Sequence, residues 1–124
     1  MFAIWMIPGE KDFKYLKKII FNISYELDSP KFLPHITIYG LIDIEQKIIE
    51  ETIESCKFVE AITVKNIGIK YSNNFWKTLF IEIQENDKMR QINLKLQEKF
   101  NQFSRYEFDP HISLAYKKMK SEQK

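Results

Sequence analysis

Stretches of helical periodicity and short apolar runs alternate along the chain, and turn residues separate them. Between residues 11 and 27, Phe13, Leu16, Ile20 and Ile23 recur at helical spacing with lysines between them. Residues 2–7 form an apolar run closed by Pro8 and a glycine, which predicts a buried strand with Trp5 in the core. The whole pattern predicts strands at residues 2–7, 35–39, 61–71, 76–84 and 111–116, and helices at residues 11–27, 44–55 and 87–103. This order predicts an α+β fold.

The chain resembles itself when it is shifted by 76 positions, the separation of His35 and His111. Phenylalanine, any residue, proline, histidine and isoleucine follow one another at residues 32–36 and again at residues 108–112. We therefore expect a single domain over residues 1–124 with two strand–helix–strand halves, about 1–72 and 73–124, related by a pseudo-two-fold axis. The second half lacks the helix and strand that end the first half. We expect shortened C-terminal elements and either a monomer or a strand-exchanged homodimer.

Composition limits the classes of partner. The net charge is +2, which gives no strong electrostatic drive toward duplex DNA or an anionic membrane. A single cysteine, Cys56, excludes an intrachain disulfide, and no apolar stretch approaches a membrane span. We expect a cytoplasmic protein without a membrane partner. The lysines at positions 14, 17 and 18 are interpreted as a solvated helix face.

The two histidines of the sequence each precede a hydroxyl residue by two positions, His35 with Thr37 and His111 with Ser113. Side chains at i and i+2 of a strand share a face, so each pair projects to one side. Histidine titrates near neutrality, so one ring can accept a proton while the other donates one. The hydroxyls can donate hydrogen bonds to phosphate oxygens. The pattern indicates metal-independent phosphoryl chemistry.

Two chemical alternatives are weaker. Both histidines with Asp109 could ligate zinc, but their spacing is not typical of a zinc site. Ser113 lies on a predicted strand, not on the sharp strand-to-helix turn that presents a nucleophilic serine.

The paired motifs resemble those of the 2H phosphoesterase superfamily, and most closely its cyclic phosphodiesterase branch. The resemblance runs from residue 2 to about 116 and rests on Pro34-His-Ile-Thr-Ile38 and Pro110-His-Ile-Ser-Leu114. It implies a bilobal fold with a central groove, no cofactor, and hydrolysis of a 2′,3′- or 1″,2″-cyclic phosphate on a small nucleotide or an RNA end. It assigns catalysis to His35 and His111 and phosphate binding to Thr37 and Ser113. It also places the aromatic residues Tyr116, Phe75 and Trp76 near the substrate.

Two other functions stay open at this point. The chain could be a non-catalytic module that binds nucleotides or RNA ends, or it could resemble 2′-5′ RNA ligases and phosphodiesterases. The sequence leaves open which histidine is the acid, which ester bond breaks and which substrate is used.

Overall fold

The computed structural model describes residues 2–56, 62–73 and 77–116. Within these ranges the chain forms five strands and three helices in the predicted order, which confirms the α+β class. They are β1 (Phe2–Met6), α1 (Glu10–Leu27), β2 (Ile36–Ile42), α2 (Gln46–Cys56), β3 (Lys65–Tyr71), β4 (Leu79–Gln84), α3 (Asp87–Phe100) and β5 (His111–Ala115). No helix in the described part of the chain combines the length and apolar character needed to cross a bilayer.

The two strands that carry the histidine motifs are neighbours in the sheet, whose order is β1-β2-β5-β4-β3. β5 pairs antiparallel with β2, with Ile36 opposite Ile112, and antiparallel with β4 on its other side. Its central position explains why four of its five residues are buried. Strands that are far apart in sequence are thus brought together at the middle of the sheet.

The outer strands are exposed, which corrects one expectation. β1 lies at a sheet edge, and Trp5 is 45% exposed, so the predictions of a buried first strand and a core tryptophan are wrong. β3 forms the other edge, where Ile69 is 68% exposed. An apolar run is compatible with either a central or an edge strand, because the hydrophobic pattern predicts that a segment is a strand but not which strands pair with it.

Contacts divide the chain into two compact groups that are each assembled from separate stretches. One group contains α2, α3 and most of β2, and its fully buried residues include Tyr39, Leu96 and Phe100. The other contains α1, β4 and β5, and Ile20 of α1 is fully buried there. The pseudo-two-fold relation between residues 1–72 and 73–124 remains a prediction.

A buried amide ties α3 to β2 within the first group. Asn93, which is 3% exposed, donates from Nδ2 to the Ile38 carbonyl at 2.8 Å. Its Oδ1 accepts a bond from Gln97 Nε2 at 3.2 Å. At the start of the same helix, Asn86 is the N-cap and accepts from the Met89 amide at 2.9 Å. The bond from Asn93 to Ile38 fixes the helix against the strand that follows the first histidine.

Candidate functional site

His35 is held in one tautomer by the backbone beside it. Its Nδ1 lies 2.8 Å from the Leu33 carbonyl, which can only accept, so Nδ1 carries the hydrogen and Nε2 is the basic nitrogen of the neutral ring. The residue is 8% exposed. Burial lowers the pKa of His35; the bond to Leu33 opposes that shift, and the charge of His111 adds to it. At neutral pH this ring is therefore a neutral base with a fixed orientation.

His111 opens β5 and keeps part of its surface accessible. Its ring meets the Phe80 ring edge-on, with centroids 5.6 Å apart and an interplanar angle of 72°. The Lys77 ammonium lies 4.5 Å from the centroid of the same phenylalanine ring. Glu82 is the cross-strand partner of His111 and pairs with Lys70. His111 thus packs against an aromatic ring and lies opposite a charged residue of β4, and it is more accessible than His35.

His35 and His111 lie near each other in the structure. Because Ile36 pairs with Ile112, continuing the antiparallel register places His35 opposite Ser113 and diagonal to His111, which is two residues from Ser113. A positive charge on the His111 ring lowers the pKa of His35, so the two rings are close enough to interact. This proximity favours a state with one neutral and one protonated ring.

Ser113 and Tyr116 form a second part of the same site. Ser113 is 3% exposed, and its side chain hydrogen-bonds to that of Tyr116. Burial raises the pKa of Tyr116, and the bond to Ser113 opposes this shift. The Tyr116 ring packs on Phe32 with centroids 4.3 Å apart. The predicted phosphate ligand Ser113 and the predicted aromatic Tyr116 therefore act on each other directly.

Thr37 belongs to the other compact group and is half-buried. The Tyr106 hydroxyl donates to its carbonyl at 3.3 Å. Burial, and then the charge of Asp109, raise the pKa of Tyr106 to about 12, so this phenol keeps its proton. A side chain at Gly40 would begin 3.4 Å from Thr37 Cγ2, so the glycine leaves space beside the threonine. The phosphate-binding role of Thr37 stays a prediction.

The sequence reasoning missed two aromatic residues of this site, and two of the residues it predicted are not among those that the structure describes. Phe32 and Phe80 pack against Tyr116 and His111, respectively. The repeated phenylalanine three positions before each histidine was a signal for Phe32, whereas Phe80 is identified only by strand pairing. Phe75 and Trp76, predicted to lie near the substrate, fall outside the described residues.

A metal site requires several ligating side chains close together. Among residues 2–56, 62–73 and 77–116, no three histidine, cysteine, aspartate or glutamate side chains are grouped as a metal site requires. The arrangement of His35, His111 and Asp109 considered from the sequence is therefore not a three-ligand cluster there.

These features define an α+β protein in which one histidine directly precedes β2 and the other opens the neighbouring strand β5. The family model of cyclic phosphodiesterase-like proteins matches residues 1–124, and the chain belongs to that family. Among curated proteins, a cyclic phosphodiesterase of Arabidopsis thaliana is 23% identical over 128 residues, spanning 100% of this chain and 69% of that protein.

Proposed function

We propose that the chain is a metal-independent phosphodiesterase of the 2H type that hydrolyses a 2′,3′- or 1″,2″-cyclic phosphate. The observation that carries the proposal is the environment of His35, a buried ring with fixed tautomer beside His111. Two histidines of different environment supply the base and the acid that opening a cyclic diester requires. The family match and the name of the Arabidopsis relative support the same class of reaction.

The environments of the histidines support a proposal for their separate roles. His35 is the general base, because burial keeps it neutral and the Leu33 bond leaves Nε2 as its basic nitrogen. His111 is the general acid. His35 takes a proton from water as the water oxygen bonds to phosphorus, and the bond from phosphorus to one ring oxygen breaks. His111 gives its proton to that leaving oxygen, so a cyclic diester and water become a monoester with a free hydroxyl.

The hydroxyl groups hold the phosphate during this step. Ser113 and Thr37 donate to the non-bridging oxygens, where negative charge increases as the bonds change. Ser113 has one hydroxyl proton, so when it donates to phosphate its oxygen accepts from the Tyr116 hydroxyl, and this bond between the two side chains orients Ser113. Because the phenol of Tyr116 stays protonated at neutral pH, it adds no negative charge beside the substrate.

The test is hydrolysis of nucleoside 2′,3′-cyclic monophosphates and ADP-ribose 1″,2″-cyclic phosphate in excess EDTA. We compare the wild type with His35→Asn, whose amide nitrogen can still donate to the Leu33 carbonyl, and with His111→Ala. Each variant should lose at least about 10²-fold in kcat, the usual scale of general acid–base catalysis. Circular dichroism and thermal melting serve as the control for folding.

The outcomes separate the alternatives. Wild-type turnover in EDTA that both variants lose supports the two-histidine reaction, and the position of the product phosphate identifies the bond that breaks. A loss of less than tenfold in kcat in both folded variants would refute the two-histidine mechanism. A strict requirement for a metal ion would also refute it. Binding of nucleotides without turnover of either substrate would favour the non-catalytic module.

A further inference from the structure

One face of α1 combines lysines with aromatic rings. Lys14, Lys17, Phe21 and Tyr25 follow at intervals of three or four residues, so they line one side of the helix. Both lysines are exposed, and Tyr25 is 89% exposed. Lys14 forms an ion pair with Glu10 at 3.2 Å. The lysines are exposed to solvent, as expected, and aromatic side chains lie on the same side of the helix.

A lysine from outside the helix completes the arrangement. The ammonium groups of Lys17 and Lys31 lie 5.4 Å and 5.6 Å from the centroid of the Phe21 ring. Both distances are within the range of cation–π attraction. The two nitrogens are therefore at most 11 Å apart, the sum of these distances. This is about one Debye length at ordinary salt, so both charges act on the same short segment of an anionic ligand.

Lys31 is next in sequence to a residue that packs in the proposed site. Lys31 is followed by Phe32, whose ring packs on Tyr116 with centroids 4.3 Å apart. Tyr116 in turn bonds to Ser113, the proposed phosphate ligand. The Lys31–Phe21 contact is thus one residue along the chain from the ring that packs on Tyr116.

We propose that the surface formed by Lys17, Phe21, Tyr25 and Lys31 binds the strand of a single-stranded RNA whose 3′ end carries the cyclic phosphate. This inference rests on the proposed function and names its substrate class. Single-strand binding combines lysine contacts to phosphates with aromatic rings on which bases stack, and this surface offers both. A mononucleotide occupies the reaction centre alone and does not reach the surface.

The experiment compares kcat/KM for a short oligoribonucleotide ending in a 2′,3′-cyclic phosphate with that for the matching nucleoside 2′,3′-cyclic monophosphate. The test variant is K17Q/K31Q. The matched control is K47Q/K95Q, which removes two positive charges from exposed positions on α2 and α3. For the wild type, the ratio of oligonucleotide to mononucleotide kcat/KM should exceed about 10, and K17Q/K31Q should lower that ratio about tenfold. The control variant should leave the ratio within about twofold of the wild type.

Salt dependence gives a second readout. Each lost phosphate contact lowers the slope of log affinity against log salt by about 0.7 for a single strand, so K17Q/K31Q should lower it by about 1.4. The slope is measured by fluorescence anisotropy with a labelled oligoribonucleotide that ends in a plain 3′-phosphate. This measurement requires no turnover.

The failure of this inference differs from the failure of the proposed function. Equal wild-type kcat/KM on both substrates, or equal salt slopes for the two double variants, overturns the RNA-binding surface and leaves the two-histidine reaction intact. Absence of mononucleotide and oligonucleotide turnover refutes the reaction. In that case a reduced slope in K17Q/K31Q alone still supports the surface.

Discussion

Replacing Asn93 with alanine tests the link between α3 and the strand that follows His35. The variant removes the donor that bonds to the Ile38 carbonyl at 2.8 Å, in a place where Asn93 is 3% exposed. Gln97 also loses an acceptor, but its Nε2 lies 3.4 Å from the Tyr106 carbonyl and keeps that partner. The main cost is thus one buried carbonyl without its side-chain donor, about 1–3 kcal/mol of unfolding free energy.

Asn22→Ala is the matched control, because Asn22 is exposed in the interior of α1. The change from asparagine to alanine improves helix propensity by roughly 0.5 kcal/mol at both positions, so the difference between the variants reports the loss of the buried side chain together with its bond. Urea unfolding followed by circular dichroism should place the midpoint of Asn93→Ala about 1 M below that of Asn22→Ala, given an m-value of about 2 kcal/mol/M. If the two free energies of unfolding agree within about 0.5 kcal/mol, the bond does not stabilise the fold and the reasoning is refuted.

Three further predictions concern the site and the core. Because burial lowers the pKa of His35, the kcat/KM profile should fall on the acid side only below about pH 6.5, where the base gains a proton; an acid limb centred above that pH contradicts the assignment of His35 as base. Tyr116→Phe keeps the ring on Phe32 and removes the hydroxyl that bonds to Ser113, so kcat should fall while the melting temperature changes little; unchanged kcat would show that the bond does not orient Ser113 for catalysis. Phe100 is 1% exposed, so Phe100→Ala leaves a cavity and should lower the free energy of unfolding in urea titration by about 3–5 kcal/mol. Phe103 is 46% exposed, so Phe103→Ala should lower it by less than about 1 kcal/mol. Similar losses in the two variants would mean that Phe100 is not a core residue.

The sequence by itself determined the helices and strands, because their hydrophobic periodicity is local. The helix predicted at residues 11–27 is observed at Glu10–Leu27, and the strand predicted at residues 111–116 is observed at His111–Ala115. The two histidines could also be singled out from the sequence, since they occur in the same short motif. These features need no knowledge of which segments become neighbours.

The tertiary structure decided which strands are central and what surrounds each histidine. Trp5 and the first strand are exposed because β1 lies at an edge, and strand order depends on pairing between distant segments. His35 differs from His111 because one ring is buried against the Leu33 carbonyl and the other meets Phe80 from a different strand. Burial and cross-strand contacts set hydrogen-bond partners and pKa values, and they form only when the chain has folded.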